Sequence, residues 1–200
     1  MTAAALWTRL AGARVFDLEQ PRFAGMPIHP AHKPGYHYGL HRRHRDTYRP
    51  ERFGPRSGSS GILTMMEHSG THIDALCHQA CDLQFYGGVA VDKTERADGY
   101  TEYGAETIAP LLARGVLLDI AGWKQVERLP PNYAITAEDL DGCARHATIE
   151  VRPGDVLLVR TGFASAWQDE AAYLNAAGVS SQVFTPLCPL QAPLCAVPVK

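Results

Sequence analysis

No stretch of this 200-residue sequence is apolar for long enough to span a bilayer. The first dozen residues are only mildly apolar. Arg9 interrupts them and Arg14 follows, so a short helix is expected there rather than a secretory leader. An excess of one charge is also missing. Lys and Arg number 19 and Asp and Glu 21, a formal net charge of -2, which argues against a dominant polyanionic or membrane partner. Cysteine is sparse and odd in number, with five residues at Cys77, Cys81, Cys143, Cys188 and Cys195. Without a leader these read as reduced thiols of a cytoplasmic protein. Neither Gly70-Thr71 nor Gly87-Gly88 completes a dinucleotide fingerprint, no phosphate loop ends in Lys-Ser/Thr, and no internal repeat is visible.

What is present fits one domain with a sizeable core, or most of a larger one, given 46% hydrophobic residues. The compositional excess lies in nine His and 14 Pro, and most of the His precede residue 80. The run Val15, Phe16, Leu18 is a candidate strand. Pro21, Pro27, Pro30, Pro34, Pro50 and Pro55, with interspersed Gly, predict a long irregular loop over residues 20–60, of a length that usually carries function. Residues 62–66 read as a strand that delivers the segment after it, and residues 89–91 as another. Further along, a helix is expected over 107–113 and a strand over 116–120. Thr136 caps a helix from Ala137 to about Ala147, with Glu138 and Asp139 suiting its first turn. Arg152-Pro153-Gly154-Asp155 is a turn into a buried strand over 156–159, and a last helix is expected over 167–177. This is an α/β pattern, without the steady strand–helix alternation of a doubly wound nucleotide-binding sheet.

The segment His68-Ser69-Gly70-Thr71-His72-Ile73-Asp74-Ala75-Leu76-Cys77-His78 places three imidazoles and a carboxylate within eleven residues. On a helix His68 and His72 would share a face that Asp74 would not fully join; on a turn after a strand all three converge. Imidazole nitrogen and carboxylate oxygen suit zinc, manganese or iron. Gly70 permits a positive φ at the turn. His78 is open to two roles, a ligand or a base just outside the ligand set.

These residues resemble the signature of the metal-dependent cyclase and kynurenine formamidase family, His-x-Gly-Thr-His-x-Asp-x-Pro-x-His. Leu76 stands where Pro is common and the other signature positions are kept. The likeness runs from about Val15 to about Gly178 and takes in Asp17-Leu18, the Pro27 loop, Tyr86-Gly87-Gly88 and residues 154–162. It implies a swivelling β/β/α domain over residues 1–178, incomplete at its C-terminus, and a homodimer or higher homo-oligomer. It further implies that His68, His72 and Asp74 are metal ligands, with Asp74 bridging two ions of zinc or manganese, and that His78 is the acid/base residue. The implied reaction is hydrolysis of a non-peptide amide, an arylformamide or a cyclic amide, in a small-molecule substrate. The family completes its site with a further His and a Glu from its C-terminal third. Residues 179–200 form an atypical tail with four Pro, two Cys, no His and no acidic residue. Two origins stay open, a longer gene cut short or frame-shifted, and a natural short form whose remaining ligands come from a partner subunit. Three functions compete: a metal-dependent amidohydrolase, a metal-binding remnant without catalysis, and a metal-dependent cyclase or dehydratase.

Other residues read more plainly. Phe23, Tyr36, His37 and Tyr38 are candidates for an aromatic wall around a substrate or for ordinary loop anchors. Arg42, Arg43, His44 and Arg45 form an isolated basic run, a solvated surface rather than a nucleic-acid site. Cys77 and Cys81 lack the second pair that a zinc knuckle needs, and Cys77 has no orienting group for a nucleophile. Trp123 and Trp167 read as packing residues.

Overall fold

Two parallel strands, Gly115–Asp119 and Val156–Arg160, organise the best-packed part of the chain, paired from Gly115 opposite Val156 to Asp119 opposite Arg160. The computed structural model describes residues 3–180, Val183 and the pair Val197–Pro198. That last pair adds to the free side of Val156–Arg160 as a third parallel strand. Alternation along Gly115–Asp119 turns Val116 and Leu118 inward, as a two-residue side-chain period requires. Ion pairs close both ends of the central pair. The Arg114 guanidinium donates to both Asp155 oxygens, at 2.9 and 2.6 Å, and Arg160 donates to Asp119 Oδ1 at 2.8 Å. The entry turn has Pro153 and Gly154 at its centre, Gly154 at φ +87°, and Asp155 N donating to the Arg152 carbonyl at 3.1 Å. That placement suits a type II turn, whose third residue needs a positive φ.

The helix Ala137–His146 forms where its cap predicts. Thr136 Oγ1 accepts from Asp139 N, and Asp139 Oδ2 accepts from Thr136 N at 3.1 Å, a capping box with Asp in the Glu position. Asp139 also pairs with Lys124 at 2.7 Å and accepts from Tyr133 Oη at 2.9 Å. Burial pushes this carboxyl up, but the Lys124 ammonium and the hydrogen bonds from Thr136 and Tyr133 outweigh it and hold the pKa below the ordinary value. The buried core joins Val116, Leu118, Ile120, Leu129, Ile135, Cys143, Val159 and Phe163 with small alanines. Fully burying one such large aliphatic side chain contributes about 1.5–3 kcal/mol. At Gly162, φ is +84° and a Cβ would fall 2.3 Å from the Glu127 carbonyl oxygen, so this position accepts only glycine.

The first half is built differently. The helix Ala3–Leu10 leads into an extended segment without regular structure. An antiparallel hairpin pairs His37–Arg42 with Ser60–Thr64, bulged between Leu40 and Arg42, and neither strand holds a buried residue. Two short helices, His44–Thr47 and Pro50–Phe53, fill the connection.

Several expectations change. Residues 14–18 form no strand, and Val15 and Phe16 are exposed. The proline-rich stretch 20–60 is not wholly irregular, since one hairpin strand lies inside it. Residues 107–113 hold no helix: a single 3-10 turn, Ala105–Thr107, stops there, because Pro110 removes a donor and disfavours helix before it. The expected final helix shortens to Glu170–Leu174 after a 3-10 turn, Phe163–Ala166. The strand 156–159 is found, though of its residues only Val159 is buried. No helix among the described residues is long and apolar enough to cross a membrane. The atypical tail expected over residues 179–200 lies outside the described residues apart from Val179, Ser180, Val183 and Val197–Pro198.

Candidate metal centre

The signature segment leaves the hairpin at Thr64 and turns back on itself before a 3-10 turn at Leu76–His78. Gly70 makes the turn at φ +71°. A Cβ there would make ordinary contacts, 3.5 Å to Arg22 Nε and 3.8 Å to Met26 Cε, so conformation rather than space demands glycine. His78 N donates to the Ala75 carbonyl at 2.9 Å and closes the 3-10 turn. Leu76 is the first residue of that turn, the position at which a proline's missing N–H does least harm. The departure from the signature at Leu76 therefore removes nothing the turn needs.

Residues 20–23 seat the segment on the core. Gln20 N donates to Thr71 Oγ1 at 3.1 Å, and Arg22 Nη2 donates to the Thr71 carbonyl at 2.7 Å. Arg22 is also paired with Glu19. Between them, the Pro21 carbonyl accepts from Trp167 Nε1 at 2.7 Å, and Phe23 packs edge-on against the same indole at 6.5 Å. Trp167 is buried, so it is a packing residue with one long-range hydrogen bond, and Phe23 is an anchor.

The turn brings the expected residues together. His68 Nδ1 lies 2.9 Å and His72 Nε2 3.2 Å from the same oxygen, Asp74 Oδ1. Ligand atoms of His68, Asp74 and His78 lie within 4.8 Å of one another. The His68 and His78 rings stand 3.8 Å apart, and those of His68 and His72 5.1 Å. His72 Nδ1 is 2.7 Å from the Gly70 carbonyl, which can only accept, so this nitrogen carries the proton. In a neutral His72 the Nε2 lone pair then faces a carboxylate oxygen. Two acceptors in contact repel unless a proton or a cation lies with them, and a divalent cation is what imidazole nitrogens and a carboxylate oxygen bind together. An imidazole tied to a backbone carbonyl through its other nitrogen is the usual orienting arrangement for a metal-binding histidine. The donor set fits a metal ion.

A residue that the motif does not contain also reaches the cluster. His32, from the 3-10 turn Pro30–His32, stacks 4.6 Å from His68 and 6.0 Å from His78. Its partial burial, then the neighbouring imidazoles beginning with His68, push its pKa below the ordinary histidine value. The concentration of His before residue 80 was the only sequence signal for it; its place in an irregular loop gave no spacing to read.

Other candidates fall away. Tyr38 lies over Gly61 on the hairpin, where a Cβ would come 2.4 Å from the ring, and about half of its surface is exposed. Burial pushes the Cys77 thiol up, the wrong direction for a nucleophile. Cys81 is exposed. Among the described residues, Arg22 Nε and Ser69 Oγ are buried without a hydrogen-bond partner.

The chain matches the family described as "Putative cyclase" over residues 16–192. Among solved structures it is similar to one titled a novel cyclase, at 26% identity and a TM-score of 0.75, covering 94% of this chain and 67% of that one. It shares its fold with isatin hydrolase A from Ralstonia solanacearum, at 20% identity and a TM-score of 0.61, covering 94% and 66%. A third structure, an isatin hydrolase bound to the product analogue thioisatinate, gives 20% and 0.61, with 94% and 70% covered. The chain thus spans about two thirds of the length of each. No curated protein matches.

Proposed function

This chain belongs to the cyclase family, and on that premise we propose that it is a metal-dependent hydrolase of a non-peptide amide, with a cyclic amide as the leading substrate class. The convergence of His68 and His72 on Asp74 Oδ1, at 2.9 and 3.2 Å, carries the proposal. His68, His72 and Asp74 would hold the ion, with zinc or manganese the metals that suit their donors. A bound ion would supply an activated water and polarise the amide carbonyl. The protein's own groups do the rest. The Gly70 carbonyl orients the His72 ring. His78 lies against His68, ring to ring at 3.8 Å, and would take a proton from the attacking water and deliver it to the leaving nitrogen, the step an amide needs because an amide anion is a poor leaving group. Isatin hydrolase, with which the chain shares its fold, is named for a cyclic amide substrate, and this favours that class over the arylformamides.

We also propose a homo-oligomer. The hairpin leaves Tyr38, Leu40, Ile62 and Leu63 about half exposed, an apolar surface that a second copy would cover.

The test is turnover of isatin and of an N-formyl arylamine by the zinc- and manganese-loaded protein, beside His78→Ala and His72→Ala. His78→Ala should lose roughly 100- to 10,000-fold in rate and keep its metal; His72→Ala should lose both. Metal-dependent loss of water from a hydroxylated substrate, with no amide cleaved, would overturn the proposal.

A further inference from the structure

His32 approaches the cluster from a segment held in place on its own account. Met26 and Ile28, just before it, are buried. The turn that presents it is closed by His32 N donating to the His29 carbonyl at 2.8 Å, and the His29 side chain caps it by accepting from Ala31 N at 3.2 Å. His29 is thereby committed to the turn, while the His32 ring is presented to the signature residues. That ring stands 4.6 Å from His68 at a tilt of 41° and 6.0 Å from His78 at 45°. Neither the His32 nor the His78 ring makes a hydrogen bond to protein among the described residues. Among the described residues, the carboxylates within 4 Å of His68 and His72 are Asp74, already in contact with both, and the exposed Glu67, 3.7 Å from His68 Nε2. Half-buried nitrogen donors that gather without protein partners need something electropositive in their midst.

We propose that His32 is a metal-ligating residue of this site, supplied from outside the signature segment. The inference deepens the functional reading above and rests on its metal centre. His32 brings to the site an imidazole from a sequence position that no spacing within residues 68–78 reveals. It also ties the proline-rich loop to the ion, so that loading the site fixes residues 29–34.

Cobalt(II) titration of the whole chain tests this through visible absorption and stoichiometry, without any substrate. The variants are His32→Gln, His146→Gln, His72→Gln and His32→Cys, with circular dichroism as the check on folding. His32→Gln should weaken cobalt binding by at least roughly tenfold, the lower end of what disturbing even an outer-shell partner does, and alter the d–d bands. His146→Gln, at an exposed position at the end of the helix Ala137–His146, should do neither. His32→Cys should restore binding and add a thiolate-to-cobalt charge-transfer band, which a ring that merely stacks on His68 would not give. Unchanged affinity and bands in His32→Gln, or no charge-transfer band in a folded, cobalt-loaded His32→Cys, would overturn the role of His32 while leaving the metal centre standing if His72→Gln still abolishes binding. No cobalt bound by the unaltered chain would overturn both.

Discussion

The strand pair at 115–119 and 156–160 and the hairpin at 37–42 and 60–64 are both short and both carry large apolar side chains, yet they end in opposite environments. The first places Val116, Leu118 and Val159 in a buried cluster whose members all fall between residues 116 and 177. The second buries nothing. Between residues 13 and 112 the buried apolar side chains are Met26, Ile28 and Phe85, with Pro27 beside them. The chemistry-bearing cluster lies in this thinly packed half. Its link to the well-packed half runs from Trp167 through Pro21 and its neighbours to Thr71. The difference teaches that apolar alternation specifies a strand, whereas what covers the strand is decided elsewhere in the fold.

The contrast is broken most directly by deleting the same side chain in both halves. Ile135 is fully buried and Ile62 about half exposed. Ile135→Ala should cost about 2–5 kcal/mol in denaturant unfolding, and Ile62→Ala about 0.5 kcal/mol or less in dilute protein. A large, concentration-dependent loss in Ile62→Ala would show that a second copy covers the hairpin in solution.

The link between the halves comes next. Trp167→Phe keeps an aromatic ring but strips the Pro21 carbonyl of its donor. The expected cost is about 1–3 kcal/mol, and with it a severalfold weaker metal affinity although every ligand is intact. Calorimetric metal titration of this variant separates the two effects, and an unaltered affinity would show that the signature segment seats itself without the link.

Acid should weaken the well-packed half in particular. Its hydrogen bonds with Arg114 hold the Asp155 carboxyl below the ordinary value, and Asp139 is held low as described above. A carboxylate whose pKa is depressed in the folded state stabilises the fold above its unfolded pKa of about 3.9, and that contribution disappears as pH falls through the lower folded value. The thermal midpoint should therefore fall below about pH 4, and less steeply in Asp155→Asn than in the unaltered chain.

How much of this was legible in the sequence follows from how local each signal is. The Thr136 cap, the Pro153-Gly154 turn and residues 68–78 each carry their instructions within a dozen positions, and each forms as read. The hairpin strand His37–Arg42 does not, because its partner Ser60–Thr64 lies beyond two short helices, and the intervening prolines and glycines mask the pairing. His32 is silent for the same reason: its neighbours in space are 36 and 46 residues away in sequence. Pro110 stops the helix that the residues around it suggest, a local veto that outweighs the pattern.

A small gain is expected at Leu76→Pro, which restores the residue common in the signature. Ala75, at φ -75° and ψ 161°, already holds the extended conformation that a following proline requires. Stability should rise by about 0.4–1 kcal/mol through a stiffer unfolded chain, with metal binding unaltered; a loss of either would mean that the turn around His78 is less regular than described.

The central claim is that His68, His72 and Asp74 hold a metal ion, and elemental analysis of the purified chain beside Asp74→Asn tests it most directly. The account requires zinc or manganese bound at one ion per chain or more, lost in Asp74→Asn while the circular dichroism spectrum is kept. A chain that binds neither metal, or an Asp74→Asn variant that holds the same ion as tightly, would contradict it.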